Sequence, residues 1–125
     1  MESKTGTHKD LQIWHEGLSL VEQIYCITAK FPSHETYALT SQMRRAAVSI
    51  PSNIAEGAAR QTGKEFIQFL YIALGSASEL DTQIEVSREI GLGDSGALLE
   101  LQKNLDSISK MLQGLIRAVK NSANH

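Results

Sequence analysis

The sequence has little cysteine, proline or aromatic residue, and it has no long apolar run. One cysteine, Cys26, cannot form a disulfide within the chain, and two prolines and nine glycines are few for an all-β or disordered protein. No stretch of about 18 residues lacks a charged residue, which excludes an ordinary membrane span, and the N-terminus has no signal-peptide core. These absences predict a cytoplasmic protein in which Cys26 is a buried, reduced thiol.

The residues that are abundant favour helices. Leu, Ile, Ala, Ser, Glu and Gln dominate, and a hydrophobic fraction of 42% in 125 residues is enough for the core of one domain. The formal net charge is -2, so any contact with nucleic acid must use a local patch. We predict one all-α domain over residues 10–120, with flexible tails at 1–9 and 121–125.

Four amphipathic segments joined by short connections predict an antiparallel up-down-up-down four-helix bundle. The first segment carries two neighbouring apolar rows. One can face the core, and the other needs cover from another helix or another subunit. The rows are Trp14, Leu18, Val21, Tyr25 and Ile13, Leu20, Ile24, Ile27, Phe31. The last segment has an apolar heptad, typical of left-handed bundle packing, at Leu98, Leu101, Leu105, Ile108, Leu112, Leu115 and Val119.

The second segment keeps its apolar phase across Pro51, which predicts one helix bent at that residue. Pro51 removes the hydrogen bond to the carbonyl of Ala47, at a cost of ~3 kcal/mol in a helix interior. The alternative is a new helix that starts at Asn53, with Glu56 completing a capping box. Asn53 lies beside the apolar stripe, so we expect its amide to be hydrogen-bonded and to fix helix register or a subunit contact. Ligand binding is the second interpretation of Asn53.

The third segment contains a small-residue run around Gly75. A glycine there costs ~1 kcal/mol relative to alanine, which predicts a compensating close contact between helices. Thr62 or Gly63 is predicted to cap this helix, with Glu65 in its first turn. The candidate residues for helix packing or oligomer register are Pro51, Asn53, Glu56 and Gly75.

The sequence contains no recognisable catalytic or metal-binding constellation. No histidine has an acidic residue three positions before it, as a di-iron bundle requires, and the histidines are scattered. Residues 57–64 look like a phosphate loop, but they have one residue too many between the glycines and follow a helix. We predict that the protein is not an enzyme and has no cofactor, no metal and no small-molecule substrate.

Basic residues are concentrated between positions 44 and 64. Arg44, Arg45, Arg60 and Lys64 stand there against Glu56 alone, and such a patch can follow a phosphate backbone. These four are our candidate nucleic-acid-binding residues. Each also has a structural interpretation: Arg60 can pair with Glu56 four residues earlier, and Arg44 and Arg45 can meet acidic residues of the third helix or of a neighbouring subunit. No aromatic residue is interleaved with them to indicate base stacking.

Several short motifs resemble a known family. They are Phe31-Pro32, Glu35-x-Tyr37-x-Leu39, Gln42-x-Arg44-Arg45-Ala46, Ser49-Ile50-Pro51-x-Asn53-Ile54-Ala55-Glu56-Gly57, Glu65-Phe66, Ala73-x-Gly75-Ser76 and Glu79-Leu80. The match covers about residues 9–120 and closely resembles the four-helix bundle proteins encoded in intervening sequences of bacterial 23S ribosomal RNA genes. The resemblance implies a ring, a homopentamer, and brings no catalytic residues with it. The family is also similar to the accessory variability protein of diversity-generating retroelements, a ring that helps a reverse transcriptase handle RNA.

Residues and resemblance together predict a non-enzymatic, ring-forming helical adaptor. It would bind RNA or DNA, or a nucleic-acid enzyme such as a reverse transcriptase, through Arg44, Arg45, Arg60 and Lys64. The alternative is a structural or protein-interaction module that binds no nucleic acid, in which these arginines form ion pairs between subunits.

Overall fold

The computed structural model describes residues 7–123, and the regular structure in this part of the chain is all helical. The four long helices are α1 (Gln12–Thr28), α2 (Ser41–Ala58), α3 (Gly63–Glu89) and α4 (Ser95–Ala123). Short 3-10 turns occupy His8–Asp10 and Ser33–Glu35, and a π turn at Thr36–Thr40 leads into α2. Of the predicted tails, residues 1–6 and 124–125 lie outside the described residues, and α4 continues into the C-terminal one. No helix within residues 7–123 has the length and apolar character that crossing a membrane requires.

The four helices form a bundle, as predicted, in which each helix packs against two others. Helix α2 contacts α1 and α3, while α4 contacts α3 and α1. Neighbouring helices are antiparallel, as the contacts between α2 and α3 illustrate. At one end of α2 the Ser87 hydroxyl of α3 lies 3.6 Å from the sulfur of Met43, and at the other end Gly57 lies against Phe66. The short connections between α2 and α3 and between α3 and α4 favour this arrangement of neighbours.

The heptad of α4 supplies one wall of the core. Its first five positions are buried, but Ile116 rather than Leu115 continues the row. An α-helix has about 3.6 residues per turn, so a strict heptad row drifts by about 20° per heptad, and Ile116, about five full turns after Leu98, lies back in line with the start of the row. The buried row is Leu98, Leu101, Leu105, Ile108, Leu112 and Ile116.

The two apolar rows on α1 are buried to different degrees. Ile13, Leu20 and Ile24 of one row are buried in the core. In the other row Trp14 and Val21 are partly buried and pack against the core, whereas Leu18 and Tyr25 expose 39% and 43% of their surface. Part of the second row therefore remains on the surface of the chain.

Helix α2 runs without interruption through Pro51. The proline is buried beside Gly17 of α1, where a Cβ on the glycine would lie 3.3 Å from the Cβ of Pro51. The glycine thus lets α1 approach the proline ring. The alternative of a new helix at Asn53 is wrong, and the bend at Pro51 stays a prediction. The backbone leaves helical geometry instead at Ala38, with φ -121° and ψ -106°, in the π turn before α2.

Two sequence predictions about burial are wrong. A Cβ on Gly75 would meet no atom within 4 Å, so this glycine makes no close contact between helices of the chain, and Cys26 is exposed. Each lies two residues from buried positions on its helix, which places it about 200° around the axis from the core. The close approach occurs at Gly57, where a Cβ would lie 2.7 Å from that of Phe69.

Candidate nucleic-acid interface

The four predicted basic residues lie at opposite ends of α2. Arg44 and Arg45 belong to its N-terminal part, Arg60 lies two residues after its end, and Lys64 lies in the first turn of α3. At about 1.5 Å of rise per residue, roughly 24 Å of helix separates Arg44 from Arg60. The structure therefore divides the predicted patch into two basic pairs.

At the C-terminal end of α2, the charge of Arg60 is balanced. Its Nη2 lies 3.0 Å from Oε2 of Glu56, four residues earlier, as the spacing predicts. The guanidinium also lies 4.8 Å from the centre of the Phe69 ring. Next to this pair, the hydroxyl of Thr62 accepts a hydrogen bond of 3.1 Å from the backbone N–H of Glu65, which confirms the predicted cap of α3. Arg60 is thus largely engaged by its own chain.

At the N-terminal end of α2, Arg44 is held by the last turn of α1. Its Nε donates to Oγ1 of Thr28 at 2.9 Å, and its Nη2 donates to the carbonyl of Tyr25 at 3.4 Å. The negative end of the helix dipole at this turn favours a cation. Among the described residues the hydrogen-bond partners of Arg44 are neutral groups of α1 rather than acidic residues of α3, and its pairing with a neighbouring subunit stays an open alternative.

An open cavity of about 470 Å³ lies beside Arg44, between the end of α1 and the start of α2. A volume in the range of ~300–1,000 Å³ is typical of sites that take small ligands. The cavity is lined by Tyr25, Thr36, Thr40, Ser41, Arg44, Arg45 and Val48. None of these described lining residues is acidic, so the two positive charges have no carboxylate inside the cavity. We refer to this cavity and its lining residues as the arginine cleft.

Sequence reasoning missed Tyr25 and the hydroxyl residues of the arginine cleft. The ring centre of Tyr25 lies 4.4 Å from the guanidinium carbon of Arg44, although 19 positions separate the two residues in the chain. No aromatic residue is interleaved with the arginines along the sequence, and only the packing of α1 on α2 brings Tyr25 and Arg44 together. The available signal was the second apolar row of α1, which includes Tyr25 and needed a neighbour.

Asn53 lies away from the arginine cleft and bonds within the bundle. Its Nδ2 donates to the carbonyl oxygen of Ser49 at 2.8 Å and to the Ser49 hydroxyl at 2.9 Å. That hydroxyl lies 2.8 Å from the hydroxyl of Ser76 on α3. The half-buried amide thus takes part in a hydrogen-bond chain that links α2 to α3 at one register. A role of Asn53 in a subunit contact stays a prediction.

A separate polar cluster joins α3 to α4. Nη1 of Arg88 lies 3.2 Å from both Glu85 Oε1 and Gln102 Oε1, and Nε2 of Gln102 donates to Glu85 at 3.1 Å and to Asp81 at 3.3 Å. The hydrogen bond from Gln102, helped by the charge of Arg88, lowers the pKa of Glu85 below its ordinary value, against a smaller rise from desolvation. Part of the acidic stretch on α3 is therefore engaged in helix packing.

The fold and the cleft together define a small four-helix bundle protein with an arginine-lined surface cavity. Residues 9–114 match the family described as 23S rRNA-intervening sequence protein, and the chain belongs to this family. Its fold is similar to a crystal structure of a protein with unknown function from the S23 ribosomal protein family of Bacteroides thetaiotaomicron. That likeness has a TM-score of 0.75 at 22% identity and covers 83% of this chain and 97% of the other. A search among curated proteins finds no significant match.

Proposed function

We propose that the protein is a non-enzymatic helical adaptor that binds nucleic acid through the arginine cleft. The observation that carries this proposal is that Arg44 and Arg45 line one cavity together with hydroxyl groups and without an acidic residue among the described lining residues. Arginine and hydroxyl donors are the groups that most often contact phosphate oxygens. The proposal narrows the predicted patch to one end of α2, since Arg60 is paired with Glu56.

The bonding of Arg44 supports its use as a phosphate ligand. A guanidinium has five N–H donors, and within residues 7–123 the contacts to Thr28 and Tyr25 use those on Nε and Nη2. Donors on Nη1 remain for a phosphate oxygen. Because the protein already holds the guanidinium in place, little side-chain freedom is lost when a ligand binds.

Self-association of the adaptor is supported by the family resemblance and by exposed apolar side chains. The family resemblance implies a ring of five copies, and a reverse transcriptase as one kind of partner enzyme. Apolar residues away from the cleft support self-association, since Ile72 and Val86 of α3 and Ile90 directly after it are 42% to 59% exposed. A heterologous contact repeated around an axis would close such a ring.

Fluorescence anisotropy with a labelled RNA strand at about 50 mM salt tests the proposal. We expect Arg45→Ala to weaken binding about tenfold. It should also make the slope of log affinity against log salt concentration shallower, by the amount that corresponds to about one phosphate contact. Arg60→Ala is the matched control, because it removes an arginine from the other end of α2, and it should leave the affinity unchanged. The proposal is wrong if the unmodified protein shows no binding at this salt concentration.

The exposed part of the second apolar row of α1 favours a second candidate function. This function is an assembly module that binds no nucleic acid. Leu18 and Tyr25 are exposed on α1, and Val48 of α2 borders the same cavity as Tyr25. A second subunit that covers this row would also bury the cleft, and its carboxylates would then pair with Arg44 and Arg45. In that case Leu18→Glu would reduce the mass measured by light scattering, and RNA would not bind to the wild-type protein.

A further inference from the structure

Arg44 and Tyr25 form a stacked pair at the wall of the arginine cleft. The guanidinium carbon lies 4.4 Å from the ring centre, yet Tyr25 still exposes 43% of its surface. The ring therefore has one contact with a cation of its own chain and a remaining surface that faces solvent and the cavity. An exposed, flat aromatic surface next to phosphate-binding groups is the combination found where proteins bind unpaired bases.

The buried residue Thr28 holds the pair of Arg44 and Tyr25 in place. Thr28 is buried, accepts the hydrogen bond from Nε of Arg44, and donates its own proton to the carbonyl of Ile24 at 2.7 Å. This chain of bonds fixes the guanidinium against the last turn of α1, and the guanidinium in turn restrains the ring. The aromatic surface is thus ordered before any ligand arrives.

We infer that Tyr25 is a stacking platform for one unpaired base, so that the cleft takes single-stranded nucleic acid in preference to duplex. The inference rests on the proposed nucleic-acid binding and adds the class of strand to it. A phosphate of the bound strand is placed at Arg45 and at Nη1 of Arg44, and the adjoining base lies on the ring.

Base pairing explains the preference for a single strand. The arginine cleft has a volume of about 470 Å³, which lies in the range of sites that hold one small ligand. In a duplex the bases are stacked and paired inside the helix, and they reach an aromatic side chain only after being unpaired. A duplex can therefore contact the arginines, but it cannot stack a paired base on the ring of Tyr25.

The chain contains a second tyrosine beside a cation, outside the arginine cleft. Tyr71 is 49% exposed, and Nζ of Lys120 lies 5.7 Å from its ring centre and 3.3 Å from its hydroxyl. This pair lies between α3 and α4 at the other end of the bundle. Tyr71→Leu therefore controls for the general loss of an exposed tyrosine beside a cation.

The test compares a labelled DNA single strand, a strand of the same length without bases, and the corresponding duplex, by anisotropy at low salt. We expect the wild-type protein to bind the base-containing strand about tenfold more tightly than either other form. Tyr25→Leu should remove this advantage while keeping the salt dependence, and Tyr25→Phe and Tyr71→Leu should retain it.

Equal affinity for the strands with and without bases, or an unchanged preference in Tyr25→Leu, would overturn the stacking role while leaving phosphate binding at the arginines intact. Absence of binding to all three DNA forms by a protein that does bind the labelled RNA strand would overturn the stacking role for DNA and leave the proposed function standing, whereas absence of binding to the RNA strand as well would overturn both. Circular dichroism of each variant establishes that a lost preference does not come from a lost fold.

Discussion

Both ends of helix α2 hold an arginine over an aromatic ring, but they differ in what balances the charge. Arg60 lies over Phe69 and forms an ion pair with Glu56 on the exposed surface. Arg44 lies over Tyr25 and is bonded to neutral groups at the end of α1, next to a cavity. The same side-chain chemistry therefore gives an internally satisfied surface contact at one end and a site with remaining binding capacity at the other.

The packing beneath the two arginines differs as well. At the Arg60 end, Gly57 lets α3 approach so closely that a Cβ would stand 2.7 Å from Phe69. At the Arg44 end, the π turn that contains the irregular residue Ala38 leads into α2, and Thr36 and Thr40 of this turn line the arginine cleft. Close packing at Gly57 leaves little free space next to the ring under Arg60, whereas the irregular entry to α2 leaves a cavity next to Arg44.

The largest expected effect is the difference in RNA affinity between two charge reversals, one at each end of α2. Arg45→Glu should weaken binding of an RNA strand about a hundredfold, because it removes a phosphate contact and adds repulsion. Lys64→Glu, an equally exposed position at the other end, should change the affinity by less than about threefold. Anisotropy titrations at one salt concentration measure both. Equal losses of RNA affinity in the two variants would contradict the prediction and would show that the two ends of α2 contribute equally to binding.

The second prediction concerns the difference in packing. Gly57→Ala should lower the free energy of unfolding by ~2 kcal/mol, because the new Cβ overlaps Phe69 and Phe66 and the helices must separate. Gly75→Ala, where a Cβ meets no atom within 4 Å, should instead raise it by ~1 kcal/mol through helix propensity. Urea denaturation followed by circular dichroism measures both. If Gly75→Ala does not raise the free energy of unfolding, the result would indicate that another subunit packs against Gly75.

The third prediction tests how each arginine is held. Thr28→Val removes the hydroxyl that accepts from Arg44 and should cost ~1 kcal/mol of stability, with RNA affinity lowered about threefold. Glu56→Gln removes the charge that pairs with Arg60, and it should cost no more than ~0.5 kcal/mol because the pair is exposed. Thermal unfolding and anisotropy on the same preparations give both values. A larger cost in Glu56→Gln than in Thr28→Val would contradict the comparison.

The smallest effect is a pH dependence from the cluster between α3 and α4. Since the pKa of Glu85 is lowered in the fold, its contribution to stability is present above the unfolded pKa and is lost as the pH falls through the folded pKa. Gln102→Ala should raise the pKa of Glu85 toward its ordinary value, because Gln102 is the main cause of the lowering. NMR titration of the carboxyl resonance measures this shift, and RNA binding at neutral pH should not change.

Features that depend on residues three or four positions apart were predicted well. The heptad of α4, the cap at Thr62 and the pairing of Arg60 with Glu56 all follow from contacts within one turn of helix. The burial of Cys26 and the close contact at Gly75 were predicted wrongly. Both residues stand among apolar or small neighbours, and composition alone does not give the rotation of a helix about its axis.

The sequence by itself determined that the chain forms four helices, which apolar rows are available for a core, and that basic residues are concentrated between positions 44 and 64. Only the tertiary structure decided that Leu18 and Tyr25 of α1 stay exposed, that Arg44 meets Tyr25, and that the basic residues form two separate pairs. The reason is that helical periodicity is a property of neighbouring residues, whereas a cleft forms between residues that lie 19 positions apart and meet only when two helices pack at one rotation and register.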